Sequence, residues 1–175
     1  MSKSENTWIA SQRKIVQEYL DRQAVGHLGV GEYPAFHVHP YVAVWAVQSK
    51  KAPCWVGWWA ISGDLPTDYV ERGKIAHPRE ALRAFARQWR ELSAYMLRGE
   101  EHPDIKIGTP DQWPGLGDLL RRRAQILKSY ADNDEIWVGA LAEPDAPPNR
   151  RPARRRTTRA PLARRRWART LIWLG

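Results

Sequence analysis

Only one cysteine, Cys54, occurs in the 175 residues, so no internal disulfide can form and packing must hold the fold. Long apolar runs are missing too. The longest, around Tyr41 to Val47, is far below the ~20 residues of a membrane-spanning helix, which excludes such a span. Met1 to Ala10 has no basic start followed by an apolar run, so a secretory signal is not expected and a cytoplasmic setting is. No complete catalytic, metal or nucleotide motif occurs anywhere, and the sequence alone states no chemistry.

Acidic residues are absent from Arg150 to Gly175, where ten arginines lie. The formal charge of +9 is therefore a property of that stretch, because residues 1–149 sum to −1. Any polyanion affinity inferred from the isoelectric point belongs to the tail, as weak and non-specific nucleic-acid binding. Arginine, proline and alanine make up 21 of the last 35 residues with no periodic apolar face, so 141–175 is expected to be a disordered basic tail. Residues 1–140 are long enough to form one domain with a real core.

What the chain does have is tryptophan, ten in all, with four between Tyr41 and Val70. Tyr41–Val47 and Trp55–Ser62 read as strands of an antiparallel hairpin, joined by a polar connection. Strict alternation places Trp55, Gly57, Trp59 and Ile61 on one face, and Val56, Trp58, Ala60 and Ser62 on the other. Both faces are apolar, so helices cover both or one is an interaction surface. Ser4–Val25 reads as an amphipathic helix carrying Trp8, Ile15, Val16, Tyr19 and Leu20. Gly26–Pro40 reads as a loop or short extended piece. Pro78 suits the first position of a helix running to about Arg98, with Leu82, Phe85, Trp89, Leu92 and Met96 spaced 3, 4, 3, 4. A third helix is predicted over Leu116–Ala131 and a short strand at Ile136–Val138. The fold class expected is α+β, a short antiparallel sheet centred on the Trp-rich hairpin and packed by about three helices.

Candidate site residues fall in the middle of the chain. Asp64 and Asp68 flank Pro66 after an apolar strand, where two carboxylates could act as acid and base or hold a hard cation. The simpler reading is that both accept backbone N–H groups in consecutive turns. His37 and His39, two apart, would project to one face of an extended chain, but two ligands make no metal site, and none is expected. Gly26, Gly29 and Gly31 lack the Lys-Ser or Lys-Thr of a phosphate loop, and no cofactor is expected. Cys54 reads as a bystander thiol. Arg79, Arg83, Arg87 and Arg90 line one side of a helix; the simpler reading is a solvated face interlaced with Glu80 and Glu91. For the tryptophans, core packing is simpler than stacking on bases or sugars.

The segments QRKIVQEYL, GEYPAFHVHPYVAVWAV, CWVGWWAISGDLPTDYV and PREALRAFARQWR, in that order, resemble a proteobacterial family defined as domain of unknown function 4826. The resemblance covers about residues 8–137, and WWAISGDLPTDYV is its most specific piece. It implies an architecture and a bacterial source, and it brings no catalytic residues. The functional expectation is a non-catalytic binding or interaction module whose protein partner is met by Trp58 and Tyr69, with Asp64, Asp68, His37 and His39 as further binding candidates. The alternative is a small hydrolase-like or metal-assisted enzyme using Asp64 and Asp68 with His37 or His39. Convergence of those side chains on one cleft would favour the enzyme.

Overall fold

The computed structural model describes residues 2–52, 54–138 and 169–170. In chain order the elements are α1 (Lys3–Arg22), β1 (His27–Val30), β2 (Phe36–Val38), β3 (Val42–Ser49), β4 (Val56–Gly63), β5 (Asp68–Glu71), α2 (Pro78–Leu97), β6 (Ile105–Lys106), α3 (Trp113–Asp132), α4 (Glu135–Val138) and β7 (Arg169–Thr170). The fold is α+β: four helices and a five-stranded antiparallel sheet among the described residues, with β6 and β7 forming a separate parallel pair.

The hairpin β3–β4 is the centre of the sheet, β5 extends it beyond β4, and β1 and β2 share the free edge of β3. β2 pairs with Val42–Val44 and β1 with Val47–Ser49. Gly26–Pro40, read from sequence as a loop or short extended piece, thus supplies two short edge strands. Alternation along β3 then sends Ala43, Trp45 and Val47 to one face and Val42 and Val44 to the other. Helix α1 covers the first face with Ile9, Val16 and Leu20; α2 and α3 cover the second. Three layers result, helix, sheet and helix pair, as a two-sided apolar sheet requires.

A register shift between Val47 and Gln48 corrects one expectation. Trp58 pairs with Val47 but Val56 pairs with Gln48, so one extra residue, Gly57, lies on β4. This irregularity reverses parity, and Val56 packs with the α2 side rather than beside Trp58. The space at Gly57 is tight, since a Cβ there would meet the Ser49 Cβ at 2.9 Å.

The helix stripe on α2 is wholly internal: Leu82, Phe85 and Trp89 are 0% exposed, Leu92 1% and Met96 2%. At ~1.5–3 kcal/mol for each buried large apolar side chain, the stripe contributes on the order of 10 kcal/mol gross. α2 and α3 form an antiparallel pair closed at both ends. At one end Leu97 and Met96 approach Gly117, where a Cβ would lie 3.1–3.2 Å from them. At the other, Arg79 Nε donates to the Ala131 carbonyl at 2.6 Å and Arg83 Nη2 to the same oxygen at 3.1 Å. These guanidinium groups satisfy an orphan carbonyl at the C-terminus of α3. Arg79 also pairs with Asp134, and Arg83 reaches Asp132 at 3.5 Å. The first two members of the arginine row are therefore tied to α3 and not to Glu80 or Glu91. Glu80 instead closes a capping box, accepting the N–H groups of Ala76 and His77.

Residues 136–138, predicted as a short strand, belong instead to the single helical turn α4. Asn133 Oδ1 accepts the Glu135 N–H at 3.1 Å, and Trp137 swings back to stack on Phe36 with ring centroids 4.3 Å apart. The tail predicted for 141–175 lies outside the described residues except for Arg169–Thr170, which pairs with Ile105–Lys106. No helix among the described residues is long and apolar enough to cross a membrane.

Candidate functional site

The turn after β4 begins at Gly63, with φ +134° and a virtual Cβ only 2.3 Å from the Tyr41 carbonyl oxygen. Only glycine lets the strand end approach β3 so closely. The next residue uses that proximity: the Asp64 N–H donates to the same Tyr41 carbonyl at 3.0 Å. The Asp64 side chain is thereby directed toward α3, where it accepts from Arg123 Nη2 at 2.8 Å. Asp64 is 59% exposed and Arg123 22%, so the ion pair sits at a surface with one member half sunk. Tyr41, Val42, Leu65, Ile126 and Tyr130 surround the pair and enclose a cleft of about 310 Å³. Two of its walls face solvent with unusually apolar surface, Tyr41 at 52% and Ile126 at 39% exposure.

Asp68 is different. It is the first residue of β5 rather than part of a loop, pairs with Ile61 and is 0% exposed. Oδ1 accepts its neighbour's N–H, Tyr69 N, at 2.8 Å; Oδ2 accepts from Gln88 Nε2 at 2.6 Å and Trp89 Nε1 at 3.0 Å. Gln88 and Trp89 both belong to α2, so Oδ2 is directed into the α2 layer.

His37 and His39 do share a side, but it is the α1 side. His37 pairs with Ala43, its Nε2 lies 2.9 Å from Glu5 Oε1, and the Trp8 ring packs against both imidazoles. Glu5 also accepts the Ser2 N–H in the capping box of α1, and the hydrogen bond with His37 holds its carboxyl below the usual carboxylate range. Asp68 thus lies on one face of the sheet and His37 on the other, and the four side chains have no common point. No group of three or more His, Cys, Asp or Glu side chains suited to a metal occurs among the described residues.

Trp58 and Tyr69 are half-buried against the α1 cluster, with Tyr69 6.1 Å from the Tyr19 ring. Three tryptophans of the second layer are core residues and Trp113 is half-buried against them, each with a satisfied N–H: Trp59 donates to Ile75, Trp89 to Asp68, Trp113 to Ile107 and Trp137 to Tyr130. Trp45 does the same on the first face, donating to Ser62 Oγ at 3.0 Å. Buried indoles with a partner for each N–H are packing residues. Trp55, 41% exposed, is covered by the Arg72 guanidinium 4.6 Å from its ring.

A family profile described as a domain of unknown function, DUF4826, matches residues 2–137. The chain belongs to that family. No curated protein and no solved structure matches the chain. The DUF4826 match begins at Ser2, the N-cap of α1, and ends at Trp137, the last buried aromatic among the described residues. It therefore spans all three layers and both walls of the cleft. Sequence reasoning singled out Asp64 as a candidate but did not bring Arg123, Tyr41, Ile126 and Tyr130 beside it. The available signal was the glycine before Asp64, which marks a close backbone approach; the α3 side of the cleft depends on how two distant elements pack.

Proposed function

We propose that this DUF4826 domain is a non-catalytic binding module that seats a polypeptide partner in the cleft between the Gly63–Leu65 turn and α3. The observation that carries this reading is the half-exposed Asp64–Arg123 pair set among Tyr41, Leu65, Ile126 and Tyr130. An apolar cleft with a few convergent polar groups is the usual form of a recognition site. A partner side chain, aliphatic or aromatic, fits between Tyr41 and Ile126. A charged group beside it exchanges with one member of the ion pair, which fixes orientation. Trp58 and Tyr69 are less suited to be the contact surface, because α1 packs over them. The enzymatic alternative needs Asp64 and Asp68 beside His37 or His39, and the sheet stands between Asp68 and His37.

The test is a photo-crosslinking residue placed at Tyr41, with Lys14 on α1 as the control position, in full-length protein expressed in cells of its source. A discrete adduct from position 41 that is absent from position 14, and that disappears when Ile126→Ser is added, is the expected result. No adduct at position 41, or the same adducts from both positions, would end the proposal.

A further inference from the structure

A second concave surface lies between α2 and α3, separate from the Asp64 cleft and independent of the reading given to it. Its lining is Arg83, Arg87, Arg90 and Lys128 around a floor of Ala86 and Ala124, with Gln125 and Asp132 completing the rim and a volume of about 290 Å³. Four cations thus face one carboxylate. That carboxylate is already engaged, since Asp132 pairs with Lys128 and lies 3.5 Å from Arg83, contacts that hold it below the usual carboxylate range, the Lys128 hydrogen bond foremost. Arg83 is further held by the Ala131 carbonyl. Arg87 and Arg90, one helical turn apart, have no hydrogen-bond or ion-pair partner among the described residues. The expected interlacing of this row with Glu91 is not what the geometry provides.

We propose that this groove binds a phosphate monoester carried on a small apolar or aromatic body. Two guanidinium groups on one helix face present fork-shaped donor sets suited to oxyanions. One carboxylate cannot balance the excess positive charge, whereas a phosphate monoester dianion offers about two negative charges and three acceptor oxygens. The floor decides the rest of the ligand. Ala86 and Ala124 line it, and side chains this small leave room for an apolar group to lie between the arginines. Neither Asp64 nor Arg123 lines this surface, so failure here leaves the polypeptide cleft untouched.

The experiment titrates phenyl phosphate into the full chain at physiological salt and follows backbone amide shifts. Saturable 1:1 shifts at Ala86, Ala124 and Gln125 are expected, a localised signal that non-specific binding elsewhere on a basic chain does not produce. The double variant Arg87→Ala/Arg90→Ala should weaken binding by at least about tenfold. Alanine is the best helix former, so α2 is retained. The charge-matched control Arg121→Ala/Arg122→Ala, also on exposed helix positions, should change affinity by less than about twofold. Equal weakening by both variants, or no saturable shift at these residues, overturns the site. Benzoate binding as tightly as phenyl phosphate overturns the assignment to phosphate, and inorganic phosphate binding as tightly overturns the apolar body.

Discussion

A carboxylate without solvent contact persists only where donors replace its hydration, and Asp68 has the Tyr69, Gln88 and Trp89 N–H groups arranged for that purpose. Through them β5 is tied to α2. An Asp68→Asn substitution keeps the shape but turns one acceptor into a donor that faces another donor. The expected loss is about 2–3 kcal/mol in denaturant unfolding with unchanged slope; a variant as stable as the parent would show that the carboxylate is not a tie. From sequence, Asp64 and Asp68 looked like one pair, because burial cannot be read at four-residue spacing within a turn. His77 carries a second residue-level consequence. As N-cap of α2 its Nδ1 accepts the Arg79 N–H at 3.1 Å, which requires the unprotonated nitrogen. Burial, chiefly, and the nearby Arg79 hold its pKa below the ordinary histidine value, against the opposing pull of Glu80. The unfolded chain therefore takes up the proton more readily than the folded one. The stability is complete above about pH 6.5, the unfolded value, and is lost as pH drops from there through the lower folded-state value. His77→Asp keeps a capping acceptor that stays ionised there, so melting temperature should fall less between about pH 7.5 and about pH 5.5 than in the parent. Parallel declines would refute the cap as the source.

The elements legible from sequence were those long enough for periodicity to average over exceptions. Every residue of the predicted α2 stripe is buried, and Pro78 opens that helix as its fixed φ suggests. The hairpin β3–β4 was legible for the same reason. β1, β2 and β5 are four, three and four residues long, and each is a strand because a neighbour offers it a ladder, information that lies outside its own residues. The turn before β5 supplies an element-level test. Gly63 is held with positive φ against Tyr41, and Gly63→Ala would drive a Cβ into that carbonyl. The end of β4 must then part from β3 and carry Asp64 away from Arg123. A loss of roughly 3 kcal/mol is expected, read by denaturant unfolding. Asp64→Ala, which removes a largely exposed ion pair alone, should cost under about 1 kcal/mol. Equal losses in the two variants would contradict the strand-end argument.

On the scale of the whole molecule, charge is segregated along the sequence: residues 1–149 are close to neutral, while Arg150–Gly175 contributes ten arginines and no acid. The buried core, as far as it is described, closes at Trp137, where the family match also ends. The β7 pairing with Ile105–Lys106 spans two residues on each strand. Deleting residues 141–175 should therefore leave the three layers intact, with a melting temperature lowered by no more than about 2 °C for so short a ladder. The same deletion should abolish retention on duplex DNA at low salt. Arginines without acidic neighbours attract a polyphosphate by counterion release, which falls steeply with salt and carries no sequence preference. The α2–α3 groove predicts a different pattern, because its ligand is a single monoester held by a few guanidinium groups of one groove. Phenyl phosphate affinity should survive the deletion unchanged while DNA retention is lost. Salt-resistant DNA binding by the truncated chain would contradict the segregation and assign polyanion affinity to the row Arg83, Arg87 and Arg90.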